Sequence, residues 1–208
     1  MFETSSFFLF LSASVLLILA PGPDVIFTLT QSITRGKKAG VMTALGLAVG
    51  NSIHTAGAAL GVSIIFKTSV IAFNLFKVFG VCYLLYLAFQ AIKHRNNPAS
   101  TKESTETTTG SSLFFKGFLM NVLNPKVAIF FLAFLPQFVN TQLGNVPIQI
   151  FILGCIFMVL VALIFGLIGY FAGSFRIILE KSSFSRYLNV SSAVIFIALG
   201  IKLALTRQ

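Results

Sequence analysis

The stretch that decides the fold is residues 6–33, SFFLFLSASVLLILAPGPDVIFTLTQSI, an apolar run with Pro21-Gly22-Pro23-Asp24 inside it. A bilayer core about 30 Å thick is crossed by roughly 20 apolar residues in a helix, so this run is long enough to span a membrane. Prolines free backbone carbonyls and an ionised side chain is costly in lipid. The run therefore predicts a membrane helix that is interrupted at a functional position.

The whole chain has the same apolar character. Its 208 residues are 56% hydrophobic and 10% charged, with a mean hydropathy of +0.93. Soluble domains have about 45–50% apolar and about 25% charged residues, so a soluble, disordered or secreted disulfide-bonded protein is excluded. Without the two-residue alternation of barrel strands, the fold class is predicted to be all-α. Six transmembrane helices are predicted, at residues 6–33, 40–63, 71–92, 113–139, 148–172 and 187–206.

The basic residues predict an orientation. The net charge of +10 comes from loop residues beside the apolar runs, so it indicates membrane topology and no nucleic-acid partner. Ten basic residues fall on one side, in the connections after predicted spans 1, 3 and 5. By the positive-inside rule that side is cytoplasmic, and both termini are predicted to be periplasmic.

An internal repeat indicates a single transporter domain over residues 1–208. Gly22-Pro23-Asp24-Val25 aligns with Asn124-Pro125-Lys126-Val127. The first repeat covers about 6–92, a mobile cytoplasmic loop about 93–112, and the second repeat about 113–206. Because each half has three helices, the halves enter from opposite sides, as inverted repeats do, and a binding site is expected where they meet.

Asp24 and Lys126 occupy equivalent places in the two halves. Each lies about 15 Å from the cytoplasmic boundary, at about 1.5 Å per helical residue, which is near mid-membrane. Both are predicted to face the bundle interior. Two interpretations remain: a salt bridge that only fixes how the halves pack, or a site for a zwitterion or a coupling proton.

The predicted helix breaks at Pro21, Gly22, Pro23 and Pro125 support the second interpretation. Freed carbonyls can accept from an ammonium group, and half-helix N-termini attract a carboxylate. An amino acid carries both groups.

Four more polar residues are candidates for lining this site: Asn124, Asn121, Asn51 and His54. His54 could relay a proton or make an interhelical hydrogen bond. Glycines at Gly46, Gly50, Gly57 and Gly61, and small residues at Ala162, Gly166, Gly169 and Gly173, predict close helix packing. The 24 phenylalanines are expected to face lipid, and Cys82 and Cys155 to act as small packing residues. No cofactor or metal site is predicted.

The sequence resembles the lysine-exporter family, in particular its homoserine/threonine exporter branch. The resemblance spans the chain and rests on the following segments: Ala20-Pro-Gly-Pro-Asp24, Ile33-Thr-Arg-Gly-Lys-Lys-Ala-Gly40, Ala44-Leu-Gly-Leu-Ala-Val-Gly50, Gly80-Val-Cys-Tyr-Leu-Leu-Tyr-Leu-Ala88 and Asn124-Pro-Lys-Val127. It implies a multi-pass carrier of the bacterial inner membrane that exports amino acids or related metabolites, driven by protons and assembled as a homodimer. The family signatures map onto Pro21–Asp24 and Asn124–Lys126.

Our first hypothesis is a secondary transporter in which the two halves rock around Asp24 and Lys126. Asp24 would bind the ammonium or the proton, and Lys126 or a half-helix N-terminus the carboxylate. A cation exporter is disfavoured because no thiol or carboxylate cluster is present. A thiol-electron carrier would need Cys82 and Cys155 to face each other. An intramembrane protease, and with it an enzyme, is disfavoured by the absence of a catalytic motif.

Overall fold

The computed structural model describes residues 2–20, 22–68, 70–93, 109–179 and 182–205, and every element in these ranges is helical. The predicted all-α class is confirmed. The α-helices are α1 Thr4–Leu19, α2 Pro23–Arg35, α3 Lys37–Thr68, α4 Val70–Lys93, α5 Gly110–Val122, α6 Pro125–Ile129, α7 Val146–Leu179 and α8 Ser182–Leu205. A π-helical turn, Phe130–Phe134, and two short 3-10 helices, Leu135–Phe138 and Thr141–Leu143, follow α6.

Two of the predicted spans are broken, each next to its proline. The bend between α1 and α2 is 57°, and the bend between α5 and the segment beginning at Pro125 is 49°. Each new helix has proline at its first position, where the missing N–H costs nothing because it would have no partner inside the helix. The second position is Asp24 in α2 and Lys126 in α6. The predicted interruptions are thus present, with an ionisable residue one place after each restart.

Within the described residues, one straight helical segment, Val146–Ala172, is long and apolar enough to cross a membrane. The two bent pairs raise this number to three if each is one span. The remaining predicted spans stay predictions. Residues 94–108, which make up most of the predicted cytoplasmic loop, lie outside the described ranges. Its end at Gly110–Ser112 is already helical, because Thr109 caps α5 through a bond from the Ser112 amide.

Helix α3 is the centre of the bundle and packs most extensively against α7 and α5. Glycines allow this contact at Gly46 and Gly50, where a Cβ would collide with α5, and at Gly169, where it would collide with the backbone of Gly40. The Ser32 hydroxyl donates to the Gly169 carbonyl at the same crossing. The packing prediction was wrong for three other glycines, since no atom of the described residues lies within 4 Å of a Cβ at Gly57, Gly61 or Gly166. The surroundings of Gly173 lie outside the part of the structure that is described.

The phenylalanine prediction was wrong for the centre of the protein. Around the π-helical turn, phenylalanines of three segments form one buried cluster instead of facing lipid. Ring centroids lie 5.0 Å apart for Phe130 and Phe157, 5.2 Å for Phe131 and Phe157, and 5.5 Å for Phe10 and Phe138. Such pairs prefer the tilted and edge-on geometries seen here. The cluster packs directly after the second helix break and fills the space between α1, α7 and the segment following α6.

Gln149 fixes the turn before α7, which gives a prediction for stability. Its buried amide accepts from the Asn140 amide (3.0 Å) and donates to the carbonyls of Asn140 (2.9 Å) and Gly144 (2.7 Å). Replacing Gln149 by leucine removes these three part-buried hydrogen bonds, each of which contributes about 0.5–1.5 kcal/mol to stability. We expect a clearly lower melting temperature by circular dichroism in detergent. Gln142→Leu, at an exposed position of the same turn, is the control; equal melting of the two variants would contradict the role of Gln149.

Candidate functional site

Asp24 lies in the first turn of α2 and is almost completely buried, with 2% of its surface exposed. Its Oδ2 accepts a hydrogen bond of 2.7 Å from Nδ2 of Asn124. Its Oδ1 is buried and has no hydrogen-bond partner within the described part of the chain. Because a buried oxygen of this kind is costly to leave unpaired, Oδ1 is suited to bind a proton or a cationic donor.

Asn124 connects the two helix breaks. It is the N-cap of α6, where its Oδ1 accepts from the backbone N–H of Lys126 at 2.9 Å, and it is 3% exposed. Its Nδ2 donates to Asp24, one hundred residues earlier in the chain. One amide side chain therefore caps the restart of the second broken helix and holds the carboxylate of the first.

Lys126 is buried and reaches back across the site to the end of α1. Its Nζ donates to the carbonyls of Leu17 (3.3 Å) and Ala20 (3.2 Å). Carbonyls at a helix C-terminus lack partners inside the helix and carry partial negative charge, so they suit an ammonium group. The prediction that freed carbonyls accept from an ammonium thus has a counterpart in the protein's own lysine.

Asp24 and Lys126 attract each other electrostatically but do not form a bonded pair. Each contributes to the electrostatic environment of the other. The described residues nevertheless include no ion pair between them, because Asn124 holds the carboxylate and the carbonyls of α1 hold the ammonium. A simple salt bridge between the halves is therefore not the arrangement that the structure contains.

His54 and Asn121 form the neighbouring wall. His54 is half-buried on α3; its Nε2 donates to the carbonyl of Asn121 at 3.0 Å, and its ring centroid lies 5.8 Å from that of Phe131. The imidazole also interacts electrostatically with Asp24. The side-chain Oδ1 of Asn121 is buried without a partner among the described residues. The structure thus brings these two predicted residues next to the Asp24–Asn124 pair.

Asn51 is less clearly part of the site. It is fully buried, but its Nδ2 donates to carbonyls of its own helix, those of Leu47 (2.9 Å) and Ala48 (3.3 Å). Its Oδ1 has no partner in the described ranges. Gly22 adjoins the site directly, since a Cβ on it would lie 3.1 Å from Nζ of Lys126. Pro23 and Pro125 start their helices, and Pro21 lies outside the described residues.

Sequence reasoning missed Gln31. This residue lies on the same face of α2 as Asp24 and Thr28, it is 7% exposed, and its Oε1 has no partner in the part of α2 and its surroundings that is described. The spacing of these three polar residues, four and then three positions apart, is the signal that could have found it. The acceptors of Lys126 were also missed, because backbone carbonyls leave no residue-specific trace in a sequence.

A cavity of about 660 Å³ lies at the C-terminal end of α2, on the side predicted to be cytoplasmic. It is lined by Arg35 and Lys38, and by Ala39, Met42, Gly110 and Leu113. Two basic side chains at its wall make it suitable for an anionic group such as a carboxylate.

The cysteines and the possible metal-ligating residues concern two alternative hypotheses, a thiol-electron carrier and a cation exporter. Cys82 on α4 is exposed, so the prediction that it is a packing residue was wrong, and Cys155 on α7 is half-buried; both are free thiols. Over the described ranges, no three His, Cys, Asp or Glu side chains group in a way that could hold a metal ion.

The chain is similar to a family of known proteins. The family model for LysE type translocators matches residues 15–207. The chain is 29% identical over 205 residues to the uncharacterized membrane protein YrhP of Bacillus subtilis, covering 95% of this chain and 97% of the relative. It is 30% identical over 149 residues to the leucine efflux protein of Salmonella typhimurium, covering 71% and 70%. No solved structure matches.

The match covers both helix breaks and all the described site residues. A translocator moves its substrate without converting it, so the buried Asp24, Asn124 and Lys126 belong to a transporter rather than to an enzyme, in a multi-pass membrane protein. The chain is a member of the LysE type translocator family.

Proposed function

We propose that this protein exports an amino acid across the bacterial inner membrane in exchange for an entering proton. The observation that carries the proposal is the buried carboxylate of Asp24 at the meeting of two helix breaks, with Oδ1 unpartnered among the described residues. A proton and a substrate ammonium are both suited to that oxygen, and two ligands that share one oxygen exclude each other. Mutual exclusion at one site is the minimal requirement for antiport.

The other site residues orient the Asp24 carboxylate, line the site or bind the substrate carboxylate. Asn124 orients the Asp24 carboxylate, while His54 and Asn121 form the adjoining wall. The first backbone N–H groups of α2 have no partners inside the helix and suit the substrate carboxylate. The leucine efflux protein of Salmonella is a relative whose named substrate is an amino acid, which supports the substrate class.

The topology belongs to the same proposal. Six spans in two inverted repeats and periplasmic termini are proposed from the sequence pattern, and a homodimer from the family resemblance. The matched restarts of α2 and α6, each with proline first and an ionisable residue second, support the repeat. The basic cavity at Arg35 and Lys38 supports entry of the substrate from the cytoplasmic side.

The test is efflux of a panel of radiolabelled amino acids from proteoliposomes that contain the purified protein. We expect at least one amino acid to leave faster when the external medium is made more acidic, because protons then enter as substrate leaves. Collapse of the pH gradient with a protonophore should remove the stimulation, and empty liposomes are the control. If none of the panel moves, the substrate class is wrong. If efflux is unchanged by the gradient and by the protonophore, the coupling ion is wrong.

Removing both thiols separates this proposal from a thiol-electron carrier. We expect the Cys82→Ser/Cys155→Ser double variant to retain efflux within about twofold of the native rate, because both are free thiols and the proposed transport uses neither. The measurement is the same efflux assay, with a melting curve to verify the fold. Complete loss of activity in a well-folded variant would favour thiol chemistry over transport through the Asp24 site.

A further inference from the structure

Two sets of acceptors are available to the Lys126 ammonium. One is the observed place, between the carbonyls of Leu17 and Ala20 at 3.3 and 3.2 Å. An ammonium has three donors, and these long bonds use two of them. The other place is Oδ1 of Asp24, which is buried and has no partner in the described part of the chain. Asn124 holds the backbone of Lys126 and the Asp24 carboxylate on one side chain. The charges of Lys126 and Asp24 also interact electrostatically.

Gly22 lies beside the ammonium in its observed place. Its backbone is extended, with φ −164° and ψ 179°, a conformation open to any residue. The backbone conformation therefore does not require a glycine at this position. A Cβ at this position would lie 3.1 Å from Nζ and 3.7 Å from Cε of Lys126. The glycine leaves room for the ammonium against the end of α1.

We propose that Lys126 is an internal competitor for Asp24. With no proton or substrate ammonium on Oδ1, the Lys126 ammonium moves from the α1 carbonyls onto Oδ1. A proton or a substrate ammonium on Oδ1 displaces it to the carbonyls of Leu17 and Ala20, the second set of acceptors within its reach. Lys126 is then a positioning residue that weakens substrate binding and speeds release, and it is not a ligand of the substrate carboxylate. This rests on the proposed function and deepens it.

The charged and titratable groups that act on Asp24 are Lys126 on α6 and His54 on α3. Removing the positive charge of Lys126 leaves one fewer cation beside the carboxylate. A bound ammonium then meets neither a competitor nor a like charge. If Lys126 instead held the substrate carboxylate, its removal would weaken amino acids selectively. The two roles therefore predict opposite changes in affinity.

The experiment measures the Kd of two ligands for the full-length protein in detergent at pH 8 by isothermal titration calorimetry. One ligand is leucine and the other is 3-methylbutylamine, which has the same side chain without the carboxylate. We expect Lys126→Gln to bind both ligands about three- to tenfold more tightly than the native protein. We expect Gly22→Ala to bind both several-fold more weakly, because its methyl group displaces the ammonium toward Asp24.

The Gly22→Ala/Lys126→Gln double variant completes the cycle. With no ammonium at position 126, the Gly22→Ala substitution should have no effect on either Kd. An equal effect in both backgrounds would mean that Gly22 is a packing residue, and the proposal would be overturned. Selective loss of leucine binding in Lys126→Gln would also overturn it, since Lys126 would then be a carboxylate ligand.

Two further outcomes can be distinguished from failure of the Lys126 proposal: a variant that does not fold, and failure of the proposed function. If Lys126→Gln does not fold, Gly22→Ala alone decides: unchanged affinity for both ligands contradicts the proposal, and weaker binding of both supports it. If the native protein binds neither leucine nor the amine, and exports none of the amino-acid panel, the proposed function itself fails. Elution as a single species and a native-like melting curve establish the fold of each variant.

Discussion

Asp24→Asn will reduce proton-driven amino-acid efflux by about 100-fold or more, equal to at least about 2.7 kcal/mol of transition-state stabilisation. The substitution keeps the size of the side chain and an oxygen that can accept from Asn124. It removes the negative charge that attracts a substrate ammonium, and it removes the group that binds the exchanged proton. Losing one partner of a buried charged contact costs about 2–5 kcal/mol, which is consistent with this size.

The control for this result is Glu3→Gln, which removes the same charge from an exposed position before α1. We expect this variant to transport at the native rate. The assay is net efflux from proteoliposomes with matched protein content, and each variant is checked for native-like melting. Native-rate transport by a folded Asp24→Asn protein would contradict the proposed role of the carboxylate in binding and coupling.

Gly46→Ala will strongly destabilise the folded protein, whereas Gly57→Ala, three turns later on the same helix, will not. A Cβ on Gly46 would lie 2.0 Å from the backbone oxygen of Phe114, 2.8 Å from its carbonyl carbon and 3.0 Å from the backbone nitrogen of Phe118. These are backbone atoms of α5, so no side chain can rotate away. The two helices would have to separate along their shared contact. We expect a loss of about 3 kcal/mol or more.

At Gly57 no atom in the described part of the chain lies within 4 Å of the added Cβ, and alanine favours a helix over glycine by about 1 kcal/mol. The chain contains no tryptophan, so intrinsic tryptophan fluorescence cannot monitor unfolding. Circular dichroism at 222 nm in detergent is the measurement. We expect a melting temperature about 10 °C lower, or no folded protein, for Gly46→Ala and no loss for Gly57→Ala. Equal stability of the two variants would show that α3 and α5 do not pack as described.

The two helix breaks could be predicted from the sequence because proline acts locally. Pro23 and Pro125 remove an N–H and restrict their own φ angles wherever they occur, so their effect needs no knowledge of the tertiary structure. The same local reasoning made Asp24 and Lys126 candidates for the site. An ionisable side chain in an apolar run has a high free-energy cost unless it is paired or solvated. That Asn124 holds Asp24 while Lys126 reaches the α1 carbonyls could not be predicted, because several partners satisfy the same donors.

The glycines illustrate the opposite case. Gly46 and Gly50 are four residues apart, and so are Gly57 and Gly61. Judged by this spacing alone, the two pairs are equivalent. The first two pack because α5 crosses α3 at their level, and the last two have no neighbour within contact distance among the residues that the structure describes. The depth and angle of a crossing depend on the opposing helix, which the spacing does not encode. For the same reason the buried phenylalanines around Phe131 could not be distinguished from lipid-facing ones.

The packing of α3 has a consequence for how such a protein can move. Helix α3 comes from the first half of the chain, but its main neighbours, α5 and α7, come from the second. Close backbone approaches at Gly46 and Gly169 join α3 to α5 and α7. Helix α4, by contrast, packs chiefly on α8. We therefore expect a hinge between a mixed α2–α3–α5–α7 scaffold and an α4–α8 arm, so that the moving units would not coincide with the two proposed repeats.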